Sequence, residues 1–178
     1  MRLNLSDDPI TAELLVEALA RSGSALISVN GTSMHPTLQM GWRIYLRPAT
    51  GDDLAPGEIA VFRTEHHLAV HRLVFIEGEG DARRLVFRGD HNRVRERVPS
   101  SAVVARVVAV EVPGVQHGLE RVVALESDAL GWFYRTTWAA HRLLRPILPA
   151  PPPPGTPPGT LGRAGRSVFA FMEKFLLN

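Results

Sequence analysis

The sequence has 178 residues, of which 45% are hydrophobic and 21% charged, so disorder is excluded as its main state. Cysteine is absent, which excludes disulfides, thiolate metal sites and a cysteine nucleophile. The net charge of +2 combines 20 basic and 18 acidic residues, a balance that does not indicate nucleic-acid binding. The basic residues are arginines apart from a single lysine, Lys174, near the C-terminus.

No stretch reaches the roughly 18 consecutive apolar residues that a membrane-spanning helix needs. Acidic residues near the start of the chain interrupt the region where a secretory signal would be apolar. These features predict a cytoplasmic protein without a transmembrane segment. They leave open a peripheral attachment to the surface of a membrane.

The N-terminal region, residues 1–24, is predicted to form one amphipathic helix over 9–21. The segment Ser6-Asp7-Asp8-Pro9 provides capping side chains, negative charge and a proline, as at many helix starts. Apolar residues then recur with the helical period, and Gly23 is a typical residue to end a helix.

Residues 25–113 are predicted to form a β domain. Short apolar or β-branched runs alternate here with turns rich in glycine, proline and asparagine, a pattern typical of an antiparallel sheet. The predicted strands cover 25–29, 43–46, 58–63, 68–76, 84–87 and 103–112. The expected fold class is therefore mainly β with flanking helices, the sheet being coiled or barrel-like.

Residues 114–148 return to a helical pattern, with helices predicted over 119–125 and 129–144. Residues 149–160 carry a proline run that predicts a stiff linker, because proline lacks the backbone donor. Residues 161–178 follow as an amphipathic helix. Two interpretations of these C-terminal helices stay open: packing on the β domain, and contact with a membrane surface or a partner protein.

A serine stands in a turn-like segment just after the first predicted strand. In Asn30-Gly31-Thr32-Ser33-Met34-His35-Pro36, the turn can present the Ser33 hydroxyl and aim the Ser33 backbone N–H at a carbonyl oxygen. A turn or capping serine gives the same pattern, so this segment alone does not define a nucleophile.

A serine nucleophile requires a general base, and His71 is the candidate. His71 lies inside an alternating apolar strand, where an ionisable group either faces solvent or is held for a function. Farther along the chain, residues 87–97 supply two acids, Asp90 and Glu96. Either acid could orient the imidazole as the third member of a Ser-His-acid arrangement.

The order and spacing of five segments identify a resemblance. These segments are 31–38 (Gly-Thr-Ser-Met-His-Pro-Thr-Leu), 56–62 (Pro-Gly-Glu-Ile-Ala-Val-Phe), 70–72 (Val-His-Arg), 87–92 (Phe-Arg-Gly-Asp-His-Asn) and 104–107 (Val-Ala-Arg-Val). The chain resembles the type I signal peptidase family and its LexA-type relatives over about half its length. Signal peptidases carry a transmembrane anchor, which is not expected here.

The family has two catalytic subtypes. The common bacterial enzymes and the LexA-type repressors pair the serine with a lysine, whereas the archaeal and endoplasmic-reticulum subtype has a histidine in a Val-His-Arg context. Val70-His71-Arg72 resembles the histidine subtype, and Lys174 lies beyond the proline run. The resemblance therefore implies Ser33 as nucleophile and His71 as general base, with neither a metal nor a cofactor.

The remaining site residues also follow from the resemblance. Glu96 stands where the histidine subtype has its orienting aspartate, and Asp90 is the competing candidate. Gly31 has no hydroxyl to assist the oxyanion hole, so the Ser33 N–H is expected to carry that role. The implied site for an extended peptide substrate includes Met34, Pro36 and Val70.

These features predict a serine endopeptidase that cleaves an extended segment of a precursor, signal or leader peptide. Two other interpretations stay open. One is a catalytically weak or inactive peptide-binding module of the same fold. The other is a self-cleaving regulator of the LexA type, which requires a helix-turn-helix and a cleavable linker before the domain, whereas residues 1–24 hold one predicted helix.

Overall fold

The computed structural model describes residues 3–4, 9–65, 67–92, 94–113, 121–124 and 129–144. Within these residues the chain forms nine β-strands and two α-helices. This architecture confirms the predicted fold class, a mainly antiparallel β domain with flanking helices. The predicted linker 149–160 and terminal helix 161–178 lie outside the described residues, and the division of the chain into five segments stays a prediction.

Helix α1 spans Pro9–Ser22, which confirms the helix predicted over 9–21. Its apolar face buries Leu15 and Leu19 in the core of the sheet. The helix ends at Gly23, which has a positive φ of 69° and donates its N–H to the Leu19 carbonyl at 2.9 Å. A residue without a Cβ adopts this left-handed conformation at little cost, so the glycine fixes where the helix ends.

The strands form one sheet in the order β1-β2-β3-β8-β4-β5-β6-β7, with β9 paired to β8. Only the β1–β2 pair is parallel among the described pairs. The strands are β1 Leu3–Asn4, β2 Ala25–Ser28, β3 Arg43–Pro48, β4 Ile59–Arg63, β5 Leu68–Glu77, β6 Arg84–Arg88, β7 Arg95–Val98, β8 Val103–Val112 and β9 Arg121–Ala124.

Strand β8 connects the two halves of the sheet. One of its edges pairs with β3, from Arg43 opposite Glu111 to Pro48 opposite Ala105. The other edge pairs first with β4 and then with β9. The half made of β1, β2 and β3 is therefore joined in the sheet to the half made of β4, β5, β6 and β7 through β8.

Alternating side chains build a separate apolar cluster on each face of the sheet. On β4, Ile59 and Val61 belong to the first cluster, whereas Ala60 and Phe62 belong to the second. Successive side chains of a strand point to opposite faces of the sheet, so a strand that is apolar at every position contributes to a core on each face. Full burial of one large side chain such as Phe62 contributes about 1.5–3 kcal/mol, so both faces stabilise the strand that carries them.

Helix α2 spans Ala129–Leu144 and packs on the β domain. Phe133 and Tyr134 are buried, and the Arg88 guanidinium donates a hydrogen bond to the Tyr134 hydroxyl. Trp132 points to solvent, with 66% of its surface exposed. Neither helix in the described part of the chain is long and apolar enough to cross a membrane.

The structure corrects one prediction C-terminal to the main sheet. The helix predicted over 119–125 is wrong for Arg121–Ala124, which form β9. Val122 and Val123 pair with Glu111 and Val110 on the edge of β8 beyond the end of β4. The β-branched valines fit a strand, and the β8 edge supplies the backbone hydrogen bonds, so tertiary pairing overrides the local helical pattern.

Candidate active site

The loop between β2 and β3 presents Ser33. A short turn begins here, in which the His35 N–H donates to the Thr32 carbonyl at 3.1 Å and the Leu38 N–H donates to the Met34 carbonyl at 2.9 Å. Met34 and Leu38 are buried in the core. These two apolar side chains anchor the turn, so Ser33 lies half-buried at its start.

His71 lies on β5, opposite Ala60 of β4. Its surface is only 7% exposed, and its ring approaches Phe62 with 6.1 Å between ring centroids. The imidazole therefore belongs to the face of the sheet that carries Phe62. Apolar packing on that face restricts the rotamers of the ring and excludes water from one side of it.

Three side chains from separate segments form a hydrogen-bonded series. The Ser33 Oγ lies 2.9 Å from His71 Nε2, and His71 Nδ1 lies 2.8 Å from Glu96 Oε2. With a proton on Nδ1, the ring donates to the carboxylate and Nε2 accepts from the hydroxyl. This tautomer is the one a general base needs, because a lone pair then faces the proton to be removed.

The turn between β6 and β7 supports the main chain of Ser33. The His91 N–H donates to the Ser33 carbonyl at 2.8 Å. A Cβ on Gly89 would lie 2.5 Å from that same carbonyl oxygen, which is closer than real side chains approach. Glycine is therefore required at position 89 for the turn to lie against the serine.

Asp90 does not bond to His71. Its carboxylate accepts from Arg72 Nε at 2.9 Å and from Arg72 Nη2 at 2.8 Å. It also accepts from the Thr37 hydroxyl at 2.5 Å. Of the two acids predicted to orient the imidazole, the structure brings Glu96 to His71 and leaves Asp90 with the arginine.

A cleft of about 430 Å³ passes over the Ser33–His71 pair. Its lining includes residues 29–31, which follow β2, and Leu68, Ala69 and Val70 of β5. Strand β5 pairs with β6 from Arg72 onwards, so in the described part of the chain the edge of Leu68–Val70 that faces away from β4 has no strand beside it. This edge offers backbone donors and acceptors to an extended peptide.

The residues predicted to contact substrate differ in position. Met34 and Val70 line the cleft, although Met34 is only 2% exposed, and Pro36 is exposed outside the cleft lining. Gly31 lines the cleft with open space around its Cβ position. Among the described residues the Ser33 N–H donates no hydrogen bond, which leaves it available to an oxyanion.

Sequence reasoning missed the roles of Thr37 and Arg72. The sequence predicts Arg72 only as part of a Val-His-Arg segment and Thr37 only as part of the serine segment. An arginine inside an otherwise apolar strand was the available signal, since an arginine there must find an acid if it is buried. No group of three or more metal-ligating side chains is present in the described ranges.

Residues 6–107, more than half of the chain, match the Peptidase S24-like family. The match covers Ser33, His71 and Glu96, and it supports the LexA and signal peptidase superfamily expected from the sequence. The fold and the match together define a peptidase-type hydrolase scaffold. The chain belongs to the Peptidase S24-like family. No curated protein is detectably similar to the chain.

Proposed function

We propose that this protein is a serine endopeptidase that uses Ser33 as nucleophile and His71 as general base, with Glu96 orienting the imidazole. One observation carries the proposal: two hydrogen bonds, of 2.9 Å and 2.8 Å, join the serine hydroxyl to the imidazole and the imidazole to the carboxylate. A nucleophile, a base within hydrogen-bond reach and a group that orients the base are the requirements for activating a serine.

The chemistry follows from these contacts. His71 Nε2 takes the hydroxyl proton as Ser33 Oγ bonds to the scissile carbonyl carbon, and the carbonyl oxygen becomes an oxyanion near the Ser33 N–H. The imidazolium then donates its proton to the leaving amine, and the C–N bond breaks. A water molecule, deprotonated by His71, attacks the acyl-serine carbon, and the imidazolium returns the proton to Ser33 Oγ as the acyl C–O bond breaks and the carboxylate product leaves.

Glu96 acts on the base and not on the substrate. Its carboxylate accepts the Nδ1 proton, which holds the ring in the required tautomer and stabilises the imidazolium that forms after proton transfer. The Glu96 side chain is 31% exposed, so it remains solvated on one side. A glutamate in this position does the work of the aspartate in the histidine subtype that the sequence resembles.

The histidine-base subtype also agrees with the lysine content of the chain. The only lysine, Lys174, is far in sequence from the catalytic segments, and a histidine occupies the position beside the serine hydroxyl. A Ser-Lys dyad within the described residues is therefore excluded, because these residues contain no lysine.

The proposed substrate is an extended segment of a precursor, signal or leader peptide. Such a segment adds as a further strand along the open edge of Leu68–Val70, with Ser33 at the end of the cleft that reaches His71. Backbone hydrogen bonds then hold the peptide in register, and apolar wall residues such as Val29 and Val70 select its side chains.

A serine-reactive fluorophosphonate probe and a peptide library read by mass spectrometry test the proposal. The purified protein is expected to be labelled at Ser33 and to cleave peptides. Ser33→Ala should remove both activities, and His71→Ala should lower the labelling rate by about 10²–10⁴-fold because the base is lost. Ser24→Ala, an exposed serine outside the cleft, is the matched control and should label like the wild type.

Other outcomes contradict the proposal in distinguishable ways. Peptide binding without labelling or cleavage would indicate a non-catalytic binding module. Accumulation of fragments of the protein itself, with no cleavage of added peptides, would indicate a self-cleaving regulator. Labelling that survives in His71→Ala at the wild-type rate would remove the histidine from the mechanism.

A further inference from the structure

A buried polar network lies directly behind the candidate active site. Arg72 has no exposed surface, and its guanidinium donates to both carboxylate oxygens of Asp90 and, at 2.8 Å, to the Gly57 carbonyl. Asp90 is 6% exposed. Arg72 follows His71 on β5, and the alternation of the strand turns these two side chains to opposite faces of the sheet.

Thr37 connects this network to the segment that carries Ser33. The Thr37 hydroxyl donates to Asp90 Oδ2 at 2.5 Å and accepts from Arg72 Nη2 at 3.4 Å. Thr37 lies in the turn that begins at Ser33, four residues farther along the chain. The hydroxyl thereby holds the far end of that turn to the Asp90 carboxylate.

The near end of the same turn is held by the neighbours of Asp90. The His91 N–H bonds to the Ser33 carbonyl, and Gly89 lies against that carbonyl with no room for a side chain. The segment 89–91 therefore contacts both ends of the Ser33 turn, through His91 at Ser33 and through Asp90 at Thr37. Arg72 in turn fixes this segment to β5, the strand that carries the base.

We propose that Thr37, Asp90 and Arg72 form a positioning network that sets the distance between the Ser33 hydroxyl and His71 Nε2. This inference rests on the proposed serine peptidase function. None of the three side chains bonds to His71 or to the Ser33 hydroxyl, so each acts through the main chain of the Ser33 turn. Misplacing reacting atoms by about 1 Å costs on the order of 10²-fold in rate, so a network that fixes this distance controls acylation.

Thr37→Val tests the network with the least disturbance. Valine replaces the hydroxyl by a methyl group of similar size and leaves the Asp90–Arg72 pair intact. Thr50→Val is the control, because the exposed Thr50 hydroxyl also bonds to a carboxylate, Asp53 Oδ2 at 2.8 Å, in the β3–β4 connection and outside the Ser33 turn. Thr37→Ser restores the hydroxyl and serves as the rescue variant.

Two readouts are measured on each variant at a temperature where thermal melts show full folding. The first is the rate of fluorophosphonate labelling, with kcat and KM for a cleaved peptide. The second is a crystal structure that gives the distance from Ser33 Oγ to His71 Nε2. Thr37→Val is expected to lower the labelling rate and kcat by roughly 10- to 100-fold with KM unchanged, and to lengthen the distance beyond 3.5 Å.

The rescue and control variants complete the expectation. Thr37→Ser should label within about threefold of the wild type, and Thr50→Val should match the wild type. A Thr37→Val protein with a lower melting temperature but the wild-type labelling rate and Ser33–His71 distance would overturn the inference and leave the network a purely structural one. An effect on KM alone would overturn it as well.

Failure of the proposed function has a different signature. A wild-type protein that is neither labelled nor catalytically active would contradict the peptidase chemistry. The crystal structures would still decide the positioning network in that case. A Ser33–His71 distance that stays near 2.9 Å in Thr37→Val would overturn the network, and a lengthened distance would support it.

Discussion

His71 and Arg72 occupy consecutive positions on β5, and each is bonded to an acid from the segment between β6 and the end of β7. The pairs differ in burial and in geometry. Arg72 and Asp90 form a fully buried, bidentate ion pair, whereas His71 meets the partly exposed Glu96 through a single hydrogen bond. The Arg72–Asp90 pair is suited to fixed support, and the His71–Glu96 pair is suited to a ring that gains and loses a proton in the proposed mechanism.

This difference follows from the alternation of side chains between the two faces of β5. Arg72 lies opposite Ile59, on the face of the first apolar cluster, and His71 lies opposite Ala60, on the face of the second. One strand therefore places the buried arginine on one face of the sheet and the proposed general base on the other. This arrangement is what the proposed positioning network requires: the Arg72–Asp90 pair contacts the Ser33 turn through Thr37 and makes no hydrogen bond to His71.

The largest effect is expected from removing one member of the buried pair. Asp90→Ala leaves the Arg72 guanidinium buried without its acid, and we expect a loss of about 3–5 kcal/mol in the free energy of unfolding. Glu77→Ala is the control, because Glu77 pairs with Arg97 in an exposed position and should cost at most about 1 kcal/mol. Urea denaturation of both variants measures the difference, and equal losses would contradict the comparison.

The next largest effect is expected at Glu96, where we expect a loss of activity and not of stability. Glu96→Gln removes the negative charge that stabilises the imidazolium, and the amide can also donate to Nδ1 and favour the wrong tautomer. We expect kcat/KM for a cleaved peptide to fall by about 10²-fold, equivalent to about 2.7 kcal/mol of transition-state stabilisation. Thermal stability should change little, because the side chain is partly exposed.

Glu96→Asp sharpens this test. The shorter side chain keeps the charge, so its activity should lie between those of the wild type and Glu96→Gln. Wild-type activity in Glu96→Gln would show that the base needs no orienting acid. A loss of stability as large as that of Asp90→Ala would show instead that the two acids have the same structural role.

The smallest effect is expected at Asp53, an acid that belongs to neither pair and bonds to Thr50 instead. The Thr50 backbone N–H and then the Thr50 hydroxyl hydrogen-bond to its carboxylate and lower the pKa of Asp53 below its ordinary value of 3.8. A lowered pKa in the folded state stabilises the protein above the ordinary value, and this stabilisation is lost as pH falls through the folded-state pKa. Asp53→Asn should therefore melt slightly below the wild type at neutral pH.

The difference in melting temperature between Asp53→Asn and the wild type should shrink in strongly acidic buffer, where both side chains are neutral. Calorimetry at neutral pH and in a series of acidic buffers measures it. A difference that grows as the pH falls would have the wrong sign and would contradict the assigned shift.

The predictable parts of the molecule are those with a clear periodicity. Helix α1 and the six strands with alternating or β-branched runs were predicted from local pattern. Strand β7 was not, because Arg95-Glu96-Arg97 is charged and lies at the edge of the sheet, where side chains remain solvated. The two-residue strand β1 and the strand β9 depend on edges offered by β2 and β8, and no local pattern encodes those edges.

The residues of the candidate site could be predicted from the sequence, but which acid contacts His71 could not. The segments that carry Ser33 and His71 could be identified from the sequence. The choice between Asp90 and Glu96 could not, because both lie within 87–97. Register decides it: Glu96 lies opposite Phe87, which lies opposite Leu73, on the same face of β5 as His71. No local sequence pattern indicates the register of β6 against β5 and β7.

The central position of β8 has a consequence for the order in which the domain is assembled. The turn that carries Ser33 connects β2 to β3, in one half of the sheet. His71 lies on β5, in the half that begins with β4. Strand β8 lies between β3 and β4 and joins the two halves. During synthesis the bridging strand, Val103–Val112, leaves the ribosome after the nucleophile, the base and the acid have all emerged. The half of the sheet that carries Ser33 and the half that carries His71 can therefore be joined in the complete sheet only after the chain up to Val112 has been made.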